Sequence, residues 1–321
     1  MDLNDLRIAF IIPCFNEAPA IAAVIRACQA AIPQAQVHIF DNQSTDDTAG
    51  QARQQGAIVT NVPLRGKGNV VRRMFADVEA DVYIMADGDG TYDISIAMAS
   101  VERLVGEKFD MIVGTRIDKS ADAATYRKGH RFGNWMLTSA AKSLFGGEFT
   151  DMLSGFRVFS RRYVKSFPAH ASGFEIETEL AVHALEQRMP CAEMPVHYFE
   201  RAEGTESKLS TYRDGWRILW TIARLFINER PLVFFSWISG LLALSSLCLA
   251  LPLAITYAET GLVPRLPSAV LATGLMLAAM LSIVCGAILR TVTLGRREAK
   301  RLAYLSIPVL SGVRLDGTAR S

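Results

Sequence analysis

The 321-residue sequence lacks most of the short motifs that identify common enzyme classes. It has no GxxxxGK[ST] run for a P-loop, no GxGxxG run for a dinucleotide fold and no HExxH pair for zinc. The five cysteines are scattered, without a CxxC or Cys/His spacing, which argues against a disulfide framework or a zinc site and fits a reducing compartment. The five histidines have no metal-ligand spacing, and we assign them to structure.

A large excess of one charge is also missing. Lys and Arg number 34 against 32 Asp and Glu, for a net charge of +2. Bulk electrostatic attraction to nucleic acid is therefore not indicated, and we expect no nucleic-acid partner. Residues 1–13 are acidic and run directly into a strand-like stretch. They lack the basic flank and long apolar run of a signal peptide.

Charged side chains are absent from two long apolar stretches, at residues 232–257 and 268–289. A helix needs about 20 apolar residues to cross a hydrocarbon core about 30 Å thick, and both stretches reach that length. The alternative is a pair of long buried core helices, but core helices of this length usually show a polar face. We therefore expect two transmembrane helices within 232–290.

Basic residues lie before the first stretch and after the second, at the two ends that a pair of crossings would place on the same side of the membrane. The loop between them, at 258–267, carries only Glu259 and Arg265 as charged residues. Lys and Arg accumulate on the cytoplasmic side. The sequence therefore predicts a multi-pass protein of the inner (plasma) membrane whose catalytic domain and both termini are cytoplasmic. The flanking basic residues are Lys208, Arg213, Arg217, Arg224 and Arg230 before the first stretch, and Arg290, Arg296, Arg297, Lys300 and Arg301 after the second.

Short β-rich runs alternate with helical segments over the first 115 residues. This alternation favours an α/β fold with a mixed, mostly parallel sheet covered on both faces. The pattern is less regular from residue 115 to 208. Strands are predicted at 8–12, 37–40, 57–62, 82–86, 111–114, 156–159 and 194–199, and helices at 19–31, 46–55, 69–78, 130–145 and 174–187.

Four segments follow from these patterns. A catalytic domain at 1–208 precedes an amphipathic juxtamembrane helix at 209–231, two membrane spans in 232–290 and a basic tail at 291–321. Within the juxtamembrane segment, Trp216 and Trp220 share a face with aliphatic residues and arginines are interleaved. Such a helix lies in the headgroup plane of a bilayer. A helix packed on the soluble domain is the alternative.

The strongest local signal for chemistry is an acidic, glycine-containing turn after the strand predicted at 82–86. Asp87 and Asp89 stand two residues apart with Gly88 between them. Mg²⁺ commonly binds one or two carboxylates together with substrate phosphates. An acidic turn can also be a simple solvated loop, but ligands of parallel sheets bind beyond the carboxyl ends of strands, which favours a metal site here.

Two further polar groups follow predicted strands. Asp41 ends one strand, and Ser44 and Asp46 come just after it. Their side chains either hold a base and ribose or only cap the next helix. Lys67 lies between two glycines at the start of a helix, which suits contact with a diphosphate.

These motifs occur in an order that resembles the family 2 glycosyltransferases with a GT-A (Rossmann-like) fold. Within that family the resemblance is to the polyprenyl-phosphate glycosyltransferases of the GtrB and dolichol-phosphate mannose synthase types. It spans residues 8–209, and the two apolar stretches match the GtrB-type arrangement. The motifs are Ile12-Pro13-Cys14-Phe15-Asn16-Glu17, the Asp41 cluster, Gly66-Lys67-Gly68, Asp87-Gly88-Asp89, Gly114-Thr115-Arg116, Thr150-Asp151, Ser154-Gly155-Phe156-Arg157, the run from Gly173 to Leu180, Arg201 and Ser207-Lys208-Leu209.

The resemblance implies a nucleotide-sugar donor, a polyprenyl phosphate acceptor and Mg²⁺ or Mn²⁺ as cofactor. Asp87 and Asp89 would hold the metal and the diphosphate, and Asp151 stands where other members keep a base and would orient the acceptor or an arginine. The implied donor residues are Pro13, Asn16, Glu17, Asp41, Ser44, Lys67 and Gly88. The implied acceptor residues are Arg116, Arg131 and Arg201 as a phosphate clamp, with Arg157 in support, and Ser154 and Lys208 as further contacts.

The chain departs from the family pattern at two places. Asn42 and Gln43 follow Asp41 where many relatives have Asp-Asp-Gly-Ser, which bears on the base contacts. Asp87-Gly-Asp-Gly-Thr91 replaces Asp-Ala-Asp-Leu-Gln, so either Thr91 takes the place of a metal-shell glutamine or Asp93 takes part.

The resulting expectation is an inverting hexosyltransferase acting on undecaprenyl phosphate for envelope glycan modification, with a UDP-hexose favoured over GDP-mannose. A polyprenyl-phosphate mannose synthase, a transferase to another lipid such as diacylglycerol, and a scaffold that only binds nucleotide are the alternatives. A homo-oligomer is compatible with this reading.

Overall fold

The computed structural model describes residues 5–118, 139, 149–169, 173, 175–199, 220 and 227–309. The chain divides into two compact units. One comprises Met1–Ile218 together with Ala299–Ser321, and the other comprises Leu219–Glu298. The first unit contains an α/β sheet, and the second contains most of two long apolar helices.

A seven-stranded sheet forms the centre of the first unit, in the order β3-β2-β1-β4-β6-β5-β7. Among the described strands, β6 alone runs antiparallel to its neighbours β4 and β5, and the other pairs are parallel. The mixed, mostly parallel sheet predicted from the sequence is confirmed. The strands are β1 (Ile8–Cys14), β2 (Gln36–Asp41), β3 (Ile58–Asn61), β4 (Val82–Met85), β5 (Met111–Asp118), β6 (Arg157–Ser160) and β7 (Cys191–Tyr198).

Helices connect the strands. In α1, Pro19 occupies the first turn, where its missing N–H costs nothing, and Ile21 and Ile25 lie on the buried face. The sequence interpretation missed α4 and α5, which are short. The predicted helix at 130–145 and most of the predicted juxtamembrane helix at 209–231 lie outside the described residues. The helices are α1 (Ala18–Ala31), α2 (Thr48–Gln54), α3 (Lys67–Asp77), α4 (Ala97–Gly106), α5 (Arg161–Ser166) and α6 (Ile176–Gln187).

The amino-terminal edge of the sheet carries a buried carboxylate. Asp110, just before β5, accepts hydrogen bonds from Ser160 Oγ at 2.7 Å and from Arg162 Nη2 at 2.8 Å. Tyr304, near the C-terminal end of the described chain, donates from its hydroxyl to Asp110 Oδ2 at 2.7 Å. The first unit therefore includes a residue from the C-terminal end of the second apolar helix.

The apolar helices are α7 (Pro231–Thr260) and α8 (Leu266–Leu305), both long and apolar enough to cross a membrane. Each extends beyond its predicted stretch, and α8 continues through the basic segment to Leu305. The two helices pack along a seam of small residues. Ser239 Oγ donates to the carbonyl of Ala279 at 2.8 Å, and Ser246 Oγ to that of Ala272 at 2.7 Å.

The buried residues of α8 recur every seven positions, at Ala272, Ala279, Gly286 and Thr293. A Cβ at Gly286 would lie 2.8 Å from Cβ of Phe235 on α7, so this position requires glycine. Small side chains let helix backbones approach closely, which is how helices associate in lipid.

Candidate active site

The polar loops predicted to form a site lie at the carboxyl ends of β1, β2 and β4. These strands are adjacent in the sheet, with Cys14 paired to Asp41 and Ile11 paired to Met85. Parallel strands place their carboxyl ends at one edge. The structure therefore brings together the segments that start near Asn16, Asp41 and Asp87.

Side chains of the loop after β2 bind the chain that enters α1. Asp46 Oδ1 accepts the backbone N–H of Thr48, the first residue of α2, at 3.1 Å, whereas Asp47, directly before the helix, makes no side-chain cap. Burial acts to raise the pKa of Asp46, but hydrogen bonds from Thr48 and Ala18 outweigh it and lower that pKa. The backbone N–H groups of Asn16, Glu17 and Ala18 donate to Ser44 Oγ at 2.9 Å, Thr48 Oγ1 at 2.9 Å and Asp46 Oδ2 at 3.1 Å respectively.

Asp41 differs from the neighbouring polar residues in how its two carboxylate oxygens are hydrogen-bonded. Its carboxylate is buried, and Oδ2 accepts the backbone N–H of Ser44 at 3.2 Å. Its Oδ1 is buried without a hydrogen-bond partner in the described part of the chain. A buried acceptor without a donor costs free energy. A ligand hydroxyl or N–H would satisfy this oxygen, so Asp41 fits the predicted donor site.

Asn42 shapes the loop that leads to α3. Its Nδ2 donates to the carbonyls of Val62 at 3.1 Å and Leu64 at 2.8 Å, and its Oδ1 accepts the N–H of Gly66 at 2.7 Å. Gly66 has φ of 119°, which favours glycine. An aspartate could not donate to the two carbonyls. The departure from the family pattern at residue 42 therefore has a structural role that the sequence alone did not show.

Lys67 lies between two carboxylates. Its Nζ donates to Asp87 Oδ1 at 2.6 Å and to Glu177 Oε1 at 2.6 Å. Burial acts to lower the pKa of Lys67, but the two carboxylates outweigh it and raise the pKa well above its usual value. Glu177 lies in the Gly173–Leu180 motif, and nothing in the sequence pattern indicated that it contacts Lys67.

The acidic turn after β4 is closely packed. A Cβ at Gly155 would lie 2.1 Å from Asp87 Oδ2, and a Cβ at Gly88 would lie 2.6 Å from Cys14 Sγ. Both glycines are therefore needed for backbone to pass this close to side chains. Burial raises the pKa of the Cys14 thiol, and the surrounding carboxylates raise it further.

Thr91 and Asp93 have different partners in the turn. Asp89 Oδ1 accepts both the backbone N–H of Thr91 at 3.1 Å and its hydroxyl at 2.7 Å. Asp93 accepts the N–H of Ser95 and caps the 3-10 turn at Ile94–Ile96. The geometry thus associates Thr91, and not Asp93, with the acidic pair.

The donor set at the turn fits a metal ion that shares its coordination with a substrate. In the described ranges, no group of three or more His, Cys, Asp or Glu side chains could hold a metal. Asp87 and Asp89 supply two carboxylates. Proteins commonly provide one or two carboxylate ligands to Mg²⁺ when phosphates of a substrate supply others. The residues therefore fit Mg²⁺ or Mn²⁺ held with a diphosphate, and they do not form a closed cage.

Arg116 and Asp151 form a bidentate ion pair. Arg116 Nε lies 2.7 Å from Asp151 Oδ2, and Nη2 lies 2.8 Å from Oδ1. Glu193 fixes this aspartate by accepting the backbone N–H of Asp151 at 3.3 Å and that of Thr150 at 2.6 Å. The ring of Tyr198 lies 5.7 Å from the guanidinium carbon of Arg116. Asp151 thus contacts an arginine, and its expected role in orienting the acceptor or an arginine stays a prediction.

Arg157 and Ser154 are both fully buried. Arg157 donates to the carbonyls of Ser154 at 3.1 Å, Met152 at 2.5 Å and Glu177 at 3.0 Å. Burial lowers its pKa. Arg157 therefore holds the 152–155 segment against the start of α6, since it donates to carbonyls in both. The roles expected of Arg157 and Ser154 toward the substrate stay predictions.

Tyr92 is a further residue that sequence reasoning missed. Its hydroxyl accepts the N–H of Gly155 at 2.7 Å, and its ring packs edge-on against Tyr198 at 5.3 Å. The N–H of Phe199 donates to the carbonyl of Thr91 at 2.7 Å. These contacts tie the acidic turn to the end of β7. The predicted residues Arg131, Arg201 and Lys208 lie outside the described residues.

The chain is similar to known glycosyltransferases. Residues 9–167 match the model of the family described as Glycosyl transferase family 2. Glycosyltransferase AglJ of Haloferax volcanii is 32% identical over 248 residues, covering 77% of this chain and 81% of that protein. The dolichyl-phosphate hexose transferase of the same organism is 27% identical over 224 residues, covering 70% of this chain and 95% of that protein.

A solved structure shares the fold. The crystal structure of glucosyl-3-phosphoglycerate synthase from Mycobacterium tuberculosis, in complex with Mn²⁺, UDP-glucose and phosphoglyceric acid, superposes with a TM-score of 0.56 at 21% identity. The match covers 68% of this chain and 79% of the solved chain.

Proposed function

Because this chain belongs to glycosyl transferase family 2 and is a glycosyltransferase, we propose that it transfers a hexose to a polyprenyl phosphate, such as undecaprenyl phosphate, at a membrane surface. The donor is a nucleotide-sugar, with a UDP-hexose favoured. The product is a polyprenyl-phosphate sugar, and a nucleoside diphosphate is released.

The observation that carries this proposal is the Arg116–Asp151 pair. Asp151 stands where other family members keep a base, but both its oxygens receive hydrogen bonds from Arg116. A hydroxyl acceptor must lose a proton as it attacks, whereas a phosphate monoester is already an oxyanion. An active site for a phosphate acceptor therefore needs positioning and charge neutralisation more than a base.

Two other findings support a lipid acceptor. The chain has two helices long and apolar enough to cross a membrane. A relative that aligns over 95% of its own length is named a dolichyl-phosphate hexose transferase. A catalytic domain joined to membrane helices works at the plane where the headgroup of a lipid phosphate lies.

On the donor side, the buried Oδ1 of Asp41 would accept a hydroxyl of the ribose or an N–H of the base. Pro13 and Glu17 lie at the same edge of the sheet. Lys67 would contact the diphosphate, and Asp87 and Asp89 would hold Mg²⁺ or Mn²⁺. The bound cation would neutralise the charge that develops on the leaving diphosphate.

On the acceptor side, Arg116, Arg131 and Arg201 would bind the lipid phosphate, with Lys208 nearby in sequence. A planar guanidinium suits the oxygens of a phosphate. One phosphate oxygen attacks the anomeric carbon from the side opposite the diphosphate. The new carbon–oxygen bond forms as the bond to the diphosphate breaks, so the configuration at that carbon inverts.

A donor screen with the purified full-length protein in detergent tests the proposal. UDP- and GDP-sugars, radiolabelled in the sugar, are supplied with undecaprenyl phosphate and either Mg²⁺ or EDTA, and the lipid extract is treated with mild acid. We expect a Mg²⁺-dependent, acid-labile lipid product. An acid-resistant lipid product would indicate an acceptor such as diacylglycerol, and no product with any donor would indicate a nucleotide-binding scaffold.

A further inference from the structure

Three charged side chains from distant parts of the sequence meet beside the acidic turn. Lys67 begins α3, Asp87 follows β4, and Glu177 lies in the first turn of α6. Both carboxylates are 2.6 Å from the Lys67 ammonium. The side chains are 10%, 27% and 12% exposed respectively, so the most exposed of the three is Asp87.

The charges in this cluster do not balance. One ammonium faces two carboxylates. The excess negative charge suits a divalent cation at Asp87 and Asp89. Lys67, however, already occupies Oδ1 of Asp87, and an ammonium and a divalent cation repel each other at one carboxylate.

Glu177 is held more firmly than Asp87. Its backbone carbonyl accepts a hydrogen bond from the buried Arg157 at 3.0 Å, and its residue lies within a helix. Asp87 lies on a turn and is packed against the backbone of Gly155. The Glu177 carboxylate is therefore a fixed point to which the lysine can remain bound.

We propose that Glu177 is a positioning residue for Lys67. When a divalent cation binds Asp87, Lys67 gives up its bond to that carboxylate but stays in the site because it remains bonded to Glu177. In the free enzyme Lys67 and the cation compete for Asp87. With the cation bound, Lys67 keeps its bond to Glu177 and stays beside the diphosphate. The inference rests on the metal site of the proposed function and adds the residue that regulates access to it.

Substitutions of Lys67 and of Glu177 should then change the affinity for the cation in opposite directions. Glu177→Gln leaves Asp87 as the remaining carboxylate partner of Lys67 among the described residues, which strengthens the competition and weakens cation binding. Lys67→Met removes the competitor and strengthens cation binding in the absence of nucleotide. A loss of structure would weaken binding in both variants.

Glu177 also contributes negative charge directly, and a double variant separates the two effects. If Glu177 acts through Lys67, adding Glu177→Gln to Lys67→Met changes the cation affinity little. If Glu177 acts only by its charge, Glu177→Gln lowers the cation affinity by the same factor with and without the lysine. This is the logic of a double-mutant cycle.

The experiment titrates the full-length protein in detergent with Mn²⁺ alone and follows free Mn²⁺ by electron paramagnetic resonance. We expect Glu177→Gln to weaken Mn²⁺ binding by about three- to tenfold and Lys67→Met to tighten it by a similar factor. The double variant should match Lys67→Met within about twofold. Glu175→Gln, which removes an exposed carboxylate at the start of the same helix, is the matched control and should bind like wild type.

Glu177→Asp keeps the charge and should restore part of the Mn²⁺ affinity, which also covers the case in which Lys67→Met fails to fold. Circular dichroism melts check the fold of each variant. Wild-type affinity in Glu177→Gln, or additive effects in the double variant, would overturn the inference and leave the proposed function intact. If wild type bound no Mn²⁺ and transferred sugar equally well in EDTA, the metal site itself would be wrong.

Discussion

Arg116 donates to both oxygens of Asp151, from Nε at 2.7 Å and from Nη2 at 2.8 Å. A bidentate pair of this kind fixes the plane of the guanidinium as well as its position. The aspartate is in turn held by its backbone contact with Glu193. The pair therefore fixes the orientation of the Arg116 guanidinium near the end of β5.

Replacing Asp151 tests whether it positions Arg116 or acts as a base. Asp151→Asn should lower kcat/KM for the lipid phosphate by about ten- to a hundredfold, because the arginine loses its charged partner. The shape of the pH–rate profile should not change. Arg116→Ala should cause a similar loss, and the two changes should not add. Loss of an acidic limb from the profile in Asp151→Asn would instead establish a base.

Asn42→Asp should weaken nucleotide-sugar binding. The aspartate cannot donate to the carbonyls of Val62 and Leu64, so the loop before Lys67 loses two hydrogen bonds. We expect the free energy of unfolding to fall by about 1–3 kcal/mol and the KM for the donor to rise. Denaturant melts and donor titrations measure both. Gln43→Glu is the matched control, since Gln43 donates to the same loop from an exposed position, and it should have a smaller effect.

The buried His183 predicts a pH dependence of stability. Burial, together with a smaller effect of nearby Lys300, lowers its pKa to about 3. In the unfolded chain its pKa is about 6.5. Between these values the unfolded state binds a proton that the folded state does not, so stability falls as pH decreases, by about 1.4 kcal/mol per pH unit.

The His183 prediction is tested by thermal melts of the detergent-solubilised protein from pH 7.5 to 4. In His183→Gln this contribution to the slope should disappear, even if the variant is less stable at pH 7.5. An identical pH dependence in the two proteins would show that other groups dominate acid unfolding.

Thiol labelling in intact cells tests the predicted topology. In a background with Cys248 and Cys285 replaced by serine, Leu262→Cys in the loop between the apolar helices should react with a membrane-impermeant reagent. Ser306→Cys, after α8, should react only once the cells are permeabilised. Both positions are exposed in the structure, so access depends on the membrane. The reverse pattern would overturn the cytoplasmic placement of the catalytic domain.

Much of the fold could be predicted because its signals are local. Each strand of the parallel part is a short β-rich run between helical segments, and strand ends in such sheets meet at one edge. That reasoning alone brought Asp41 and Asp87 together. The longer extent of α8 was missed because the basic residues after 290 indicated a tail, although Arg, Lys, Glu and Ala are good helix formers.

The rest of the site depends on contacts between residues far apart in the sequence. Nothing local indicates that Glu177 meets Lys67, 110 positions earlier. The resemblance placed Arg157 in support of the phosphate clamp, and nothing local predicted its full burial, because charged residues are rarely fully buried. Its burial is tolerated because it donates hydrogen bonds to several carbonyls, which only the folded chain reveals.

The bond from Tyr304 to Asp110 sets an order on biosynthesis. The ribosome releases the strands and nearly all of both apolar helices before residue 304 emerges, and until then the buried Asp110 lacks this hydroxyl. The sheet domain thus gains this contact only after residue 304 has been synthesised. It also requires that residue 304 return to the compartment that holds the strands. If both helices cross the bilayer, Tyr304 returns to the side that holds the sheet. If the chain crossed only once, Tyr304 would remain on the opposite side.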